Sequence, residues 1–212
     1  MVRADHTARR RGLELALALL VVELLDIGAS WQIHAGEVFS RTTGDLLFLI
    51  DAATTGVFLV MAVALVLTTM SGRDSRINHF AFIYLCMATV QVSFNVAMLI
   101  SSGRTRNDSL LWGLWDLGAA YLMTVAVFTG WYWWCDRVID GGAFVFPTRA
   151  GETDHRPNVV DYLFIAFNTN STFGPTSESV VSRRVKALMM YQTILSLAIL
   201  LVFVARIVGL AA

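Results

Sequence analysis

The sequence predicts an all-α integral membrane protein: about five transmembrane helices plus one short half-helix, either re-entrant or interfacial. Three observations carry this. Five mostly apolar stretches, Leu13–Ile33, Leu46–Met70, Ile77–Ser101, Leu110–Trp134 and Ala187–Leu210, reach the roughly 20 residues a helix needs to cross a bilayer. The composition is 56% hydrophobic and 15% charged, against about 25% charged in soluble domains. Finally, the mostly apolar run Val159–Phe167 is too short to cross and is followed at once by polar residues.

The first stretch follows Arg9-Arg10-Arg11 and so has the look of a signal peptide. Glu23 and Asp26 interrupt it, however, and it outruns the usual h-region of roughly 7–15 residues. Ala29-Ser30-Trp31 is a poor cleavage site, so a retained first helix is expected. The third stretch holds Gln91, Ser93 and Asn95, read as helix-to-helix bonding groups. The fourth ends in Trp131-Tyr132-Trp133-Trp134, read as an aromatic belt at the membrane interface. The expected organisation is a four-helix bundle over 1–135, a polar loop over 136–157, and a module over 158–212 of half-helix, polar loop and last helix.

Lysines and arginines orient the bundle. With five crossings and the N-terminus inside, 12 fall on the inner side and 3 on the outer. Lys186 is the only lysine; this arginine bias is a habit of GC-rich prokaryotic genomes, so a multi-pass protein of a prokaryotic plasma membrane is expected. The net charge of zero gives no reason to expect a nucleic-acid partner. Cys86, Cys135 and the four histidines have no disulfide or metal-ligand spacing, so neither metal nor cofactor is expected.

Ionisable residues inside membrane segments are functional candidates. Here they are Glu23 and Asp26, three apart on one helical face, with Asp51, Asp116 and Arg206. In the five-crossing topology Asp26, Asp51, Asp116 and Arg206 fall at similar depth in the outer half. The expectation is a cluster in which Arg206 pairs with one or more acids, as a structural ion pair or as a cation- or proton-attracting vestibule.

The nine residues Val159–Phe167 make roughly 14 Å of helix, about half the hydrocarbon core. Asn168-Thr169-Asn170-Ser171-Thr172 and then Gly174-Pro175 follow. A polar backbone run is costly in lipid, so the segment either dips in and returns or lies on the surface.

Two resemblances arise here. From about Tyr121 to Gly209 the chain carries, in order, Trp131–Trp134, Phe144-Val145-Phe146-Pro147, Asp161-Tyr162-Leu163-Phe164, Thr172-Phe173 with Ser177-Glu178, and Ser182-Arg183-Arg184. In this it resembles a bacterial membrane family known only as a domain of unknown function, which implies a relative and no activity. The order of outer helix, half-helix, polar loop and last helix also resembles the pore module of tetrameric potassium channels. Thr169-Asn170-Ser171-Thr172-Phe173-Gly174-Pro175-Thr176 stands where those channels carry T-x-T-T-V-G-Y-G. The resemblance implies an ion path lined by Asn168, Thr169, Asn170, Ser171, Thr172, Phe173 and Gly174, with backbone carbonyls replacing a cation's water shell. Phe173, Pro175 and Thr176 depart from the channel pattern, so potassium selectivity is not implied.

The leading expectation is a channel-like homo-oligomer in the bilayer that passes small cations through a pore built from the last helix and the Asn168–Thr176 loop. A non-catalytic accessory subunit of a larger complex is the alternative, and a proton-coupled transporter using the buried carboxylates is a further one. No nucleophile–base pair, H-E-x-x-H, G-x-S-x-G or phosphate loop is present, so no catalytic residue is expected.

Overall fold

The computed structural model describes residues 55–57, 59–60, 63–64, 74–102, 110–147, 157–171 and 178–211. Four helices and two short strands order them: α1 (Asp74–Ser102), α2 (Leu110–Val138), β1 (Phe144–Val145), α3 (Val159–Asn170), β2 (Ser179–Val180) and α4 (Arg183–Ala211). The expected first helix, Leu13–Ile33, lies outside the described residues. Of Leu46–Met70 only 55–57, 59–60 and 63–64 are described, all helical.

The protein is mostly helical, and two helices are long and apolar enough to cross a membrane: Asn78–Ile100, with mean hydropathy 1.8, and Arg183–Val208, with 2.2. Only 28% and 22% of these stretches are buried inside the protein. A soluble core helix hides its apolar surface, whereas α1 and α4 present Val90, Ile100, Ile194 and Leu201 outward. Surface of this kind calls for an apolar neighbour.

Helix α2 is the hub and packs against α1, α3 and α4. Its Val127, Phe128 and Tyr132 are completely buried. Of Trp131–Trp134, read from the sequence as an interfacial belt, three bond across to other helices. Trp131 Nε1 donates to Thr89 Oγ1 at 2.8 Å, Trp134 Nε1 to the Asn78 carbonyl at 3.0 Å, and Tyr132 Oη to Gln192 Oε1 at 2.5 Å. Trp133 is buried under the Arg137 guanidinium, 5.5 Å from the ring centroid. Four consecutive residues point all round a helix, and neighbours surround α2, so each ring finds a protein partner.

One hydrophobic core runs through all four helices, from Tyr84 and Val92 on α1 to Ile165 on α3 and Ile199 on α4. Ser93 bonds α1 to α4 through the Tyr191 hydroxyl at 2.6 Å, in keeping with its reading as a packing group. Helices α1 and α2 approach closely at Gly130, where an added Cβ would lie 2.8 Å from Leu85 Cδ2. Gly130→Val is therefore expected to cost about 1–3 kcal/mol by overpacking, read as a lower unfolding temperature in detergent. Gly118→Ala, whose Cβ meets nothing within 4 Å, is the matched control.

Candidate functional site

The half-helix α3 starts at a built cap. Asn158 Oδ1 accepts from the backbone N–H groups of Val160 (2.8 Å) and Asp161 (3.2 Å), and Asp161 Oδ2 accepts from Asn158 N at 2.7 Å. This reciprocal box satisfies otherwise orphaned donors at a helix start. Asp136, near the end of α2, fixes the same end. Its Oδ1 accepts from Ala143 N (2.6 Å) and Phe144 N (3.1 Å), and its Oδ2 accepts from the Tyr162 hydroxyl at 2.6 Å. The chain turns from α2 into this clamp through Gly141 and Gly142, at φ of 80° and 79°, a region that L side chains rarely adopt. Around the clamp Phe144 and Phe146 pack edge-on against Tyr162 and tilted against each other, and Phe144 also packs edge-on against Tyr132.

Strands β1 and β2 determine the path. They pair antiparallel, Phe144 opposite Val180 and Val145 opposite Ser179, and Val181 N donates to the Ala143 carbonyl at 3.1 Å. One strand precedes α3 and the other follows it, so the chain leaves for α3 and returns from it at the same place. The excursion is about 18 Å of helix for 12 residues.

The far end of α3 is buried against the middle of α4. Thr169 is 3% and Asn170 1% exposed. Ser196 Oγ donates to the Asn170 carbonyl. Ser196 lies halfway along the apolar stretch Arg183–Val208. Gln192, fully buried one turn earlier, donates through Nε2 to the Ala166 carbonyl at 2.8 Å and to Asn170 Oδ1 at 3.4 Å. Its Oε1 accepts from Tyr132 Oη. Because Ala166 O can only accept, Nε2 must face it; that in turn fixes Asn170 with Oδ1 toward Gln192. A relay thus links α2, α4 and the tip of α3.

The tip is nearly saturated. Ser171 N donates to the carbonyls of Phe167 and Thr169, and Ser171 Oγ to those of Phe167 (3.0 Å) and Asn168 (3.1 Å). With Ser196 on Asn170, the carbonyls of residues 166–170 all accept protein donors. The buried groups left without a hydrogen bond are amide donors, Asn168 Nδ2 and Asn170 Nδ2.

The residues expected to line a loop thus divide. Asn168, Thr169 and Asn170 form the last turn of α3 instead of a loop after it. Thr169 Oγ1 bonds back to the Ile165 carbonyl at 2.8 Å, and the relay holds Asn170, so polar side chains extend the helix past the apolar run. Ser171 caps it. Thr172, Phe173 and Gly174 lie outside the described residues. So do Glu23, Asp26 and Asp51, while Asp116 lies in α2 with its side chain undescribed. Arg206 is half-buried on α4; the pairing expected of it falls outside the described residues. Among the described residues no His/Cys/Asp/Glu group has the geometry to hold a metal.

Asp136, Gln192 and Ser196 carry no role in the sequence reading, and Tyr132 figures there only as part of the aromatic belt. Two signals were available. A glutamine inside an apolar stretch, Gln192, is a helix-bonding group in lipid. Asp136 at a helix end, shortly before Gly141-Gly142, is suited to capture turn amides.

Comparison with family models, with curated proteins and with solved structures finds no match to this chain.

Proposed function

We propose that this is a multi-pass protein of a prokaryotic plasma membrane, with five crossings and its N-terminus inside, in which α3 is a re-entrant half-helix. In this reading several copies assemble around α4 and the 168–176 segment to form a pore for small cations. The observation that carries it is the β1–β2 ladder: α3 is hung from one end of the bundle, and its tip meets Ser196 at the middle of the apolar stretch of α4. Short helices that stop at mid-depth recur where membrane proteins handle ions, because irregular backbone is tolerated in the membrane when protein or water surrounds it. The negative C-terminal end of α3 also favours a cation nearby. Helix α2, 29 residues long, is the third described crossing in this reading.

The test is flux. Full-length protein reconstituted in vesicles is expected to dissipate a sodium or potassium gradient, with a native mass of more than one chain. Sealed vesicles at high protein loading, or a monomer in native membranes, would contradict the pore.

One observation favours the accessory-subunit reading instead. Carbonyls 166–170 already accept protein donors, so this end of α3 offers an ion its dipole but no open carbonyl ring. In that reading α3 is a wedge locking α2 to α4, and Leu163, Phe164 and Phe167, exposed on its outer face, meet a partner. Recovery of a second polypeptide in fixed proportion, with no flux, would favour this reading.

A further inference from the structure

At the β1–β2 end of the bundle the charges are sorted by sign. Among the described residues three acids are tied to the fold: half-buried Asp136 is bonded to Ala143, Phe144 and Tyr162, Asp161 closes the α3 cap at the surface, and Glu178 keeps Oε2 buried. Among the described acids at this end Asp140 is the exposed exception. The bases Arg137, Arg183, Arg184 and Lys186 are all exposed.

Three of these bases begin α4, whose first turn contains no acid. They add to the positive end of the helix dipole where acids would offset it. Below them α4 presents one apolar line. Lys186, Met190, Ile194, Leu197 and Leu201 follow at steps of four, four, three and four, which is a single helix face, and all five are exposed. From Met190 to Leu201 the line runs about 16 Å, roughly half the thickness of a hydrocarbon core.

The geometry points to a binding site for one anionic phospholipid at the start of α4: the phosphate is held by Arg183 and Lys186, three apart on one helix face, with Arg184 adding charge beside them, and an acyl chain lies along Met190, Ile194, Leu197 and Leu201. The inference rests on reading α4 as a membrane crossing whose Met190–Leu201 face meets lipid, as in the accessory-subunit reading; copies packed on that face around a pore would exclude the lipid. Basic residues beside a membrane attract anionic headgroups; the apolar line that starts at Lys186 selects a lipid over a free phosphate, which has no use for it.

The test is native mass spectrometry of the full chain in mild detergent, with phosphatidylglycerol and phosphatidylcholine of identical chains. The wild type is expected to prefer phosphatidylglycerol by about tenfold or more, with about a fivefold loss for Arg183→Gln. The triple variant Arg183→Gln/Arg184→Gln/Lys186→Gln is expected to bind both lipids about equally, with unchanged helicity by circular dichroism. Glycerol phosphate, a headgroup without chains, is expected to leave bound phosphatidylglycerol in place. Equal binding of both lipids by the wild type overturns the site, as does a triple variant that keeps the preference. Displacement by glycerol phosphate assigns the bases to a soluble phosphate and overturns the lipid. Recovery of the chain from detergent-extracted membranes reports separately on the crossing.

Discussion

Gln192→Leu is expected to destabilise the protein by roughly 3 kcal/mol. The fully buried amide serves three partners, the Tyr132 hydroxyl, the Ala166 carbonyl and Asn170 Oδ1. Leucine fills similar space and removes all three bonds, each worth about 1 kcal/mol. Interhelical bonds in membranes average somewhat below this, so the comparison is internal. Tyr132→Phe removes a single bond of the same relay and is expected to cost about 1 kcal/mol. Thermal unfolding in one detergent gives the order. If Gln192→Leu is no worse than Tyr132→Phe, the amide does not join three groups. In the pore reading the same variant also loosens the tip of α3 and alters flux.

Asp136→Ala is expected to have an effect of the same size at the other end of α3. It removes a carboxylate from two backbone amides and from Tyr162, and bonds to charged groups are worth about 1.5–3 kcal/mol each. At the low end of that range the three bonds give a loss of about 4.5 kcal/mol, with β1 and the first turn of α3 set loose together. Two milder variants make this specific. Asp136→Asn keeps an acceptor for Ala143 and Phe144, while Tyr162→Phe removes only the hydroxyl; each is expected to lose less than half as much. Protease sensitivity between β1 and α3 should rise in the same order. Equal damage from all three variants would mean that the carboxylate is not the shared anchor.

The helices were legible because length and apolar content determine them. Ile77–Ser101, Leu110–Trp134 and Ala187–Leu210 appear as Asp74–Ser102, Leu110–Val138 and Arg183–Ala211, each extended at one or both ends by residues with helical neighbours. The half-helix was legible too, but its end was not. Hydropathy stops it at Phe167, whereas Ser171, Gln192 and Ser196 supply partners that carry it to Asn170. Those partners come from 22 or more residues away for Gln192 and Ser196, and no local pattern reports them. The bonds of the aromatic run were not legible for a related reason: a Trp indole satisfies itself equally well at a lipid interface or on a neighbouring helix, and only the packing of α2 shows the partners. The Asn158–Asp161 capping box is absent from the sequence reading, although two carboxyl or amide side chains three apart before an apolar run are its signal.

The central claim is that α3 descends into the membrane from one side and stops near its middle. Spin labels placed singly at Val160→Cys, Leu163→Cys and Phe167→Cys, in protein lacking Cys86 and Cys135, measure this through their depth in reconstituted bilayers. All three positions are exposed on the protein surface, so the labels sit outside the core. The account predicts depth increasing in that order, by about 10 Å from Val160 to Phe167 at 1.5 Å per residue. Equal, shallow depths at all three positions would place α3 flat on the membrane surface and contradict it.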